Sequence, residues 1–204
     1  GLMRYCKDID MWVSDRARSS CKHRTSFCAM NCYNKKLYKL YPNMKGADAR
    51  LEREWEELNA ESFRAKAKSL KRTIKRFRFQ VRGETFSEFA DIVKVREIVA
   101  GNPGILFWMP TRAWRDPFLK ASIETMIMTL PNSRVQASID PSNTGYELKV
   151  ASAWPTMFFG DNDRHPLGDA VKCPKTWTKK KGLCGKCGVG CFKTGNVNVW
   201  LKKH

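Results

Sequence analysis

Between Phe77 and Ile139 the chain alternates between two kinds of apolar pattern. Phe77–Val81 reads as a strand, followed by a turn at Arg82-Gly83-Glu84. Thr85 and Glu88 then form a capping box, and Phe89, Ile92, Val93, Val95, Ile98 and Val99 trace a helix that ends near Gly101 and Pro103. Ile105–Met109 is wholly apolar, as in a strand buried on both faces. Asp116-Pro117 opens a second helix with Leu119, Ile123, Met126, Ile127 and Leu130 on one stripe, and Arg134–Ile139 alternates as a strand. Parallel neighbours need such helical crossovers, so the series predicts βαβ units and a parallel sheet. Ligands bind such sheets at the carboxyl ends of the strands. Met11-Trp12-Val13, Leu148–Ala153 and Thr156–Phe159 read as further strands.

The flanks differ from this centre. Asn31–Tyr41 looks helical until Pro42 stops it, and residues 47–76 carry a helical stripe with one slip near Asn59. The second half of that stripe is strongly basic, with Arg64, Lys66, Lys68, Lys71, Arg72, Lys75 and Arg76. The last thirty-five residues, from Ala170, hold nine lysines and no acid. Too polar for a core of its own, that tail needs a metal to fold. The expected division is a domain over 1–169 with a helical insertion at 47–76, followed by a metal-stapled tail over 170–204.

A 42% hydrophobic, 28% charged chain is globular rather than mostly disordered. Its longest apolar runs are too short to span a bilayer, and no charged-then-apolar leader opens it, so the expected location is cytoplasmic with no membrane partner. The 38 basic and 20 acidic residues leave a net charge of +18, which points to a polyanion, DNA or RNA. Oligomeric state has no signature in the sequence.

The eight cysteines fall into groups: Cys21, Cys28 and Cys32 early, Cys173, Cys184, Cys187 and Cys191 late, with Cys6 apart. Without a secretory signal such grouping argues for metal rather than disulfides. The late four lie among Gly and Lys, and four soft ligands suit tetrahedral zinc or an iron–sulfur cluster equally well. His204 is a spare ligand there. The early three have three readings: a cubane cluster with its fourth iron open, zinc completed by His23, or buried thiols. After the third strand, Arg112, Trp114 and Arg115 supply flat groups of the kind that stack on a single-stranded base, with Trp108 read as core. Arg72, Arg76, Lys179, Lys180 and Lys181 are the expected phosphate contacts.

Three cysteines on a loop before a βα series, the segment FQVRGETFSEF at Phe79–Phe89, the strand ILFWMPTRAW and the cysteine-rich tail resemble the bacteriophage gene product 88 family. The same segments are distantly similar to radical S-adenosylmethionine (SAM) enzymes, whose three-cysteine loop follows the first strand. The cysteine spacing here is wider than the superfamily's, and Arg82 stands where its paired-glycine motif has a glycine. The likeness implies an incomplete α/β radical-SAM-like (βα) barrel. It also implies 4Fe–4S clusters and SAM as cofactors, with Gly83, Glu84, Ser138 and Asp140 around the SAM, in the cytoplasm of an infected bacterium. The expected function is thus an iron–sulfur, radical-SAM-like phage enzyme modifying a nucleic acid or nucleotide. Two alternatives stand beside it: a non-catalytic nucleic-acid-binding protein stapled by zinc or iron–sulfur, and a zinc-dependent DNA base-modifying enzyme.

Overall fold

The computed structural model describes residues 2–70, 72–160, 164–178, 184, 187–192 and 197–202. Strand β1 (Met3–Cys6) turns back onto β2 (Met11–Ser14) as an antiparallel pair. Helices α1 (Ser26–Met30), α2 (Tyr33–Leu40), α3 (Met44–Glu57) and α4 (Ala60–Ser69) follow. The slip near Asn59 is a true break, because Asn59 caps α4 by accepting from the Ser62 N–H at 2.8 Å. Next come β3 (Arg76–Arg78), α5 (Phe89–Ala100), β4 (Leu106–Thr111), α6 (Pro117–Met126) and β5 (Ser133–Ile139). The chain continues with α7 (Gly145–Ala151), β6 (Thr156–Phe159), β7 (Val171–Lys172), α8 (Pro174–Thr178) and β8 (Val199–Leu201).

The strands form one sheet in the order β1-β2-β3-β4-β5-β6-β8-β7, parallel throughout except at β1. From β2 to β6 each strand lies beside its predecessor, the winding of a βα series in which α3, α4, α5, α6 and α7 pack into the core on one face. Phe77 pairs in register with Phe107, and both enter a core with Phe63 of α4, Ile92, Val95 and Ile98 of α5, and Leu119 and Ile123 of α6. The other face carries Met11, Trp108 and Met157, onto which Phe192 of the tail packs. Burying one such side chain stabilises by about 1.5–3 kcal/mol, so both faces hold the sheet.

The pairing leaves β1 and β7 at opposite edges, so the described strands make an open, mostly parallel sheet. Two expectations change. Leu148–Ala153 is not a strand: α7 occupies Gly145–Ala151 and turns Leu148 and Ala151, three apart, toward the core. Helix α5 opens at Glu88 rather than Thr85, because Asp91 accepts from the Ser87 and Glu88 N–H groups at 2.8 and 3.2 Å. The tail supplies β7 and β8 to the common sheet. No helix among the described residues is long and apolar enough to cross a membrane.

Candidate functional site at the carboxyl ends of the strands

The chain leaves β2 at the sheet edge where β3, β4 and β5 also end, and there it enters the early cysteine loop. Arg16 fixes the entry. Its buried guanidinium pairs with Asp91 and Glu52, each at 2.9 Å, and lies 4.6 Å over the Trp55 ring. Asp91 also accepts from the Trp55 indole at 2.7 Å. Further along, the Ser20 hydroxyl accepts from the Glu84 N–H at 2.8 Å, and Ser87 donates to the Ser20 carbonyl at 2.6 Å. Gly83 has φ +87°, and a Cβ there would stand 2.7 Å from the Arg16 Cβ and 2.8 Å from the Ser20 hydroxyl. Both the left-handed backbone and the close approach require glycine.

A second clamp holds Cys28. Thr25 caps α1 by accepting from the Cys28 N–H at 3.0 Å, and donates its own proton to Asp140 at 2.5 Å. Asp140, fully buried just past the end of β5, also pairs with Arg112 at 2.9 Å and accepts from both the N–H and hydroxyl of Ser142. Glu84 makes a third clamp: it accepts from the Thr85 N–H at 2.8 Å, the Thr111 hydroxyl at 2.7 Å and the Arg112 N–H at 2.9 Å. Burial pushes its carboxyl above the usual range against those bonds.

The three early thiols act on one another. Burial pushes the Cys21 thiol up to about 12, with Glu84, Cys28 and Cys32 adding to the shift. Cys28 is also raised by burial, while the Arg112 guanidinium beside it favours the thiolate. Such a set fits the donor chemistry of a metal or cluster held by three thiolates. Beside it, a cleft of about 690 Å³ is lined by Lys22, His23, Trp114, Arg115, Tyr146 and Glu147, among others.

The residues expected around SAM therefore gather at the early loop, in bonds to the protein itself. Gly83 packs on Arg16, Glu84 and Asp140 have their oxygens engaged, and the Ser138 carbonyl accepts from the Trp114 indole at 3.0 Å and from Arg112 at 3.5 Å. Trp114, 2% exposed, is core at the cleft wall, and Arg112 is turned in to Asp140 rather than outward as a stacking group. Arg115 reaches Glu147 at 2.7 Å and the His23 carbonyl at 3.1 Å. Arg72 covers the Tyr5 ring at 4.8 Å, away from the loop. Arg76 lies 5.2 Å over Phe192 and donates to the Cys187 carbonyl at 3.3 Å. Lys179, Lys180, Lys181 and His204 lie outside the described residues. The sequence reading missed Arg16, Thr25 and Asp91. Thr25, three residues before Cys28 at a helix start, carried a capping signal; the Arg16–Asp91 pair, 75 residues apart, carried none.

The late thiols gather on the sheet's other face. Burial raises Cys184 to about 11 and Cys191 to about 12, with Cys173 adding to both and Arg78 opposing. The Val189 N–H donates to the Cys187 sulfur at 3.4 Å, and Arg78 stacks 4.6 Å over Trp108 beneath them. All eight cysteines are free thiols. Among the described residues no group of three or more His, Cys, Asp or Glu side chains is assembled as a finished metal site.

No curated protein and no solved structure matches the chain. A family model described as gene product 88 matches residues 7–194, which include both cysteine groups and every clamp described above. The chain thus belongs to the phage gene product 88 family.

Proposed function

We propose that the protein is an iron–sulfur, radical-SAM-like enzyme acting on a nucleic acid or nucleotide. The observation that carries this reading is the early loop: three thiols on one loop after the first parallel strand, with Cys28 and Cys32 both acting on the Cys21 thiol, tied to the ends of β4 and β5 through Glu84, Arg112 and Asp140. Cys21, Cys28 and Cys32 would hold a 4Fe–4S cluster. Once bound, such a cluster would supply a coordination position and a single electron for SAM chemistry.

The chain's own residues do the rest. Arg112 offsets the thiolate charge at Cys28, and Asp140 and Thr25 keep α1 in place so that the thiols stay gathered. The neighbouring cleft takes the substrate, where Arg115 and the exposed Tyr146 ring offer the flat surfaces on which a base stacks. Cys173, Cys184, Cys187 and Cys191 would bind a closed structural metal, zinc or a second cluster, as four soft donors do.

The test is anaerobic reconstitution with iron and sulfide, followed by reduction in the presence of SAM. The expected outcome is a shifted electron paramagnetic resonance signal and release of 5′-deoxyadenosine, with both lost in Cys21→Ala, Cys28→Ala and Cys32→Ala. A second reading, a metal-stapled nucleic-acid-binding protein without catalysis, is favoured by the internal bonds of Glu84 and Asp140, which engage both oxygens of each carboxylate within the protein. A loaded, reduced protein that leaves SAM intact would establish that second reading and end the first.

A further inference from the structure

The early loop borders a second concave surface, lined by residues other than those of the 690 Å³ cleft. A groove of about 600 Å³ is lined by Arg18, Ser19, Arg24, Lys35, Tyr38, Lys39 and Asp48. Every cation in it comes from the loop or its flanks: Arg18 from the turn before Cys21, Arg24 between Cys21 and Cys28, and Lys35 and Lys39 from α2 after Cys32.

Other cations around the loop, among the described residues, are paired. Arg16 has Asp91 and Glu52, Lys22 has Glu88, Arg82 has Asp48, Arg112 has Asp140 and Arg115 has Glu147. Among the described residues, none of Arg18, Arg24, Lys35 and Lys39 has a carboxylate partner. The groove's one acid, Asp48, is already held by Arg82 at 3.1 Å and by the Tyr38 hydroxyl. The Arg18 Nε is buried with no hydrogen-bond partner. Four uncompensated cations in one concavity focus a positive field there, and a buried donor without an acceptor is costly unless a ligand supplies one. Guanidinium groups match the oxygens of phosphate in particular.

We propose that this groove binds phosphate esters: the backbone of a nucleic acid strand, or the phosphate chain of a nucleotide, led past the cysteine loop. The proposal rests on the nucleic-acid part of the function proposed above and names the residues that would hold that partner.

The experiment measures binding by the full-length protein to a short labelled single strand of DNA, and separately to ATP, across a salt series. The variant Arg24→Gln/Lys35→Gln/Lys39→Gln spares Arg18, whose side chain is half-buried, so it keeps the wild-type melting curve. Three phosphate contacts on a single strand correspond to about two units of salt slope, so wild-type affinity falls about 20-fold more than the variant's between roughly 50 and 200 mM salt. The charge-matched control Lys66→Gln/Lys68→Gln/Arg96→Gln, on α4 and α5, keeps the wild-type slope. Loss of strand binding alone in the first variant identifies a nucleic acid; loss of ATP binding as well identifies nucleotide phosphates. A variant that tracks wild type on both probes, or a control that loses as much, overturns the proposal. Neither readout depends on metal, so a loaded protein that leaves SAM intact would end the enzyme reading without touching this one.

Discussion

The early cysteine loop is tied to the ends of the strands by buried charge, whereas the late cysteines lie on the opposite face of the sheet under aromatic and arginine packing. Around the early loop, Arg16, Glu84, Asp91 and Asp140 are all buried and all bonded. Around the late group the contacts are Phe192 on Trp108, Arg78 on Trp108 and Arg76 on the Cys187 carbonyl. A buried, fully bonded polar network fixes geometry strongly, because each bond lost leaves a group unsatisfied in low dielectric. The backbone that carries the early thiols is therefore held at Ser20 and at Thr25 by buried bonds. The late thiols sit on a Gly- and Lys-rich segment with little apolar surface, where the proposed metal would couple its binding to local folding. On the proposed function, the first arrangement suits a working site and the second a staple.

Breaking the early network gives the largest expected effect. Asp91→Ala leaves Arg16 with Glu52 as its one remaining carboxylate and strands the Trp55 indole and the Ser87 N–H, so about 3–5 kcal/mol of stability is lost. Urea unfolding measures it, and faster labelling of Cys21 by a thiol reagent shows whether the loop is released as well. A loss below about 1 kcal/mol would mean the loop is held by something other than this network.

The late group gives a more local effect. Cys184→Ser/Cys191→Ser, or chelation of the wild type, should open the tail to proteases while the helices over the other face keep their circular dichroism signal. If the tail resists proteolysis in both cases, Phe192 and the Arg76 and Arg78 contacts suffice without metal and the contrast between the two groups disappears.

The smallest effect sits between the groups, at His165. Its ring is buried against Phe158 and bonded to the Thr156 hydroxyl at 3.3 Å, and burial lowers its pKa from 6.5 to about 4. The unfolded chain takes up the proton first as pH falls. Stability present above about pH 6.5 is therefore lost between there and about pH 4, on the order of 1–2 kcal/mol after allowance for solvent screening. His165→Gln should flatten that part of the melting-temperature profile. An unchanged profile would assign the acid sensitivity to other groups.

The residues that set local structure were legible in the chain. Apolar spacing placed α5, α6, β4, β5 and β6, and Asp116-Pro117 marked the start of α6, where the Asp116 side chain accepts from the Leu119 N–H at 3.0 Å. These signals lie within a few residues of one another, where backbone geometry alone decides which side chains meet. Leu148–Ala153 misled because a short apolar-polar alternation fits a strand or one stripe of a helix, and only its neighbours in the core choose between them. The cysteine groups, the net charge and the family likeness were likewise present in the sequence.

What only the tertiary structure decided is which partner each polar group takes. Asp140 stands just past the end of β5 and Glu84 in the loop that follows β3, and their oxygens turn to Thr111, Arg112, Thr25 and Ser142. Among the described residues the same choice left Arg18, Arg24, Lys35 and Lys39 without a carboxylate while Arg16, Arg82 and Arg112 were neutralised. Charge pairing acts through space over a few ångströms and carries no sequence period. A chain with +18 therefore reveals that it is basic in its composition, and where that charge is unanswered only when it has folded.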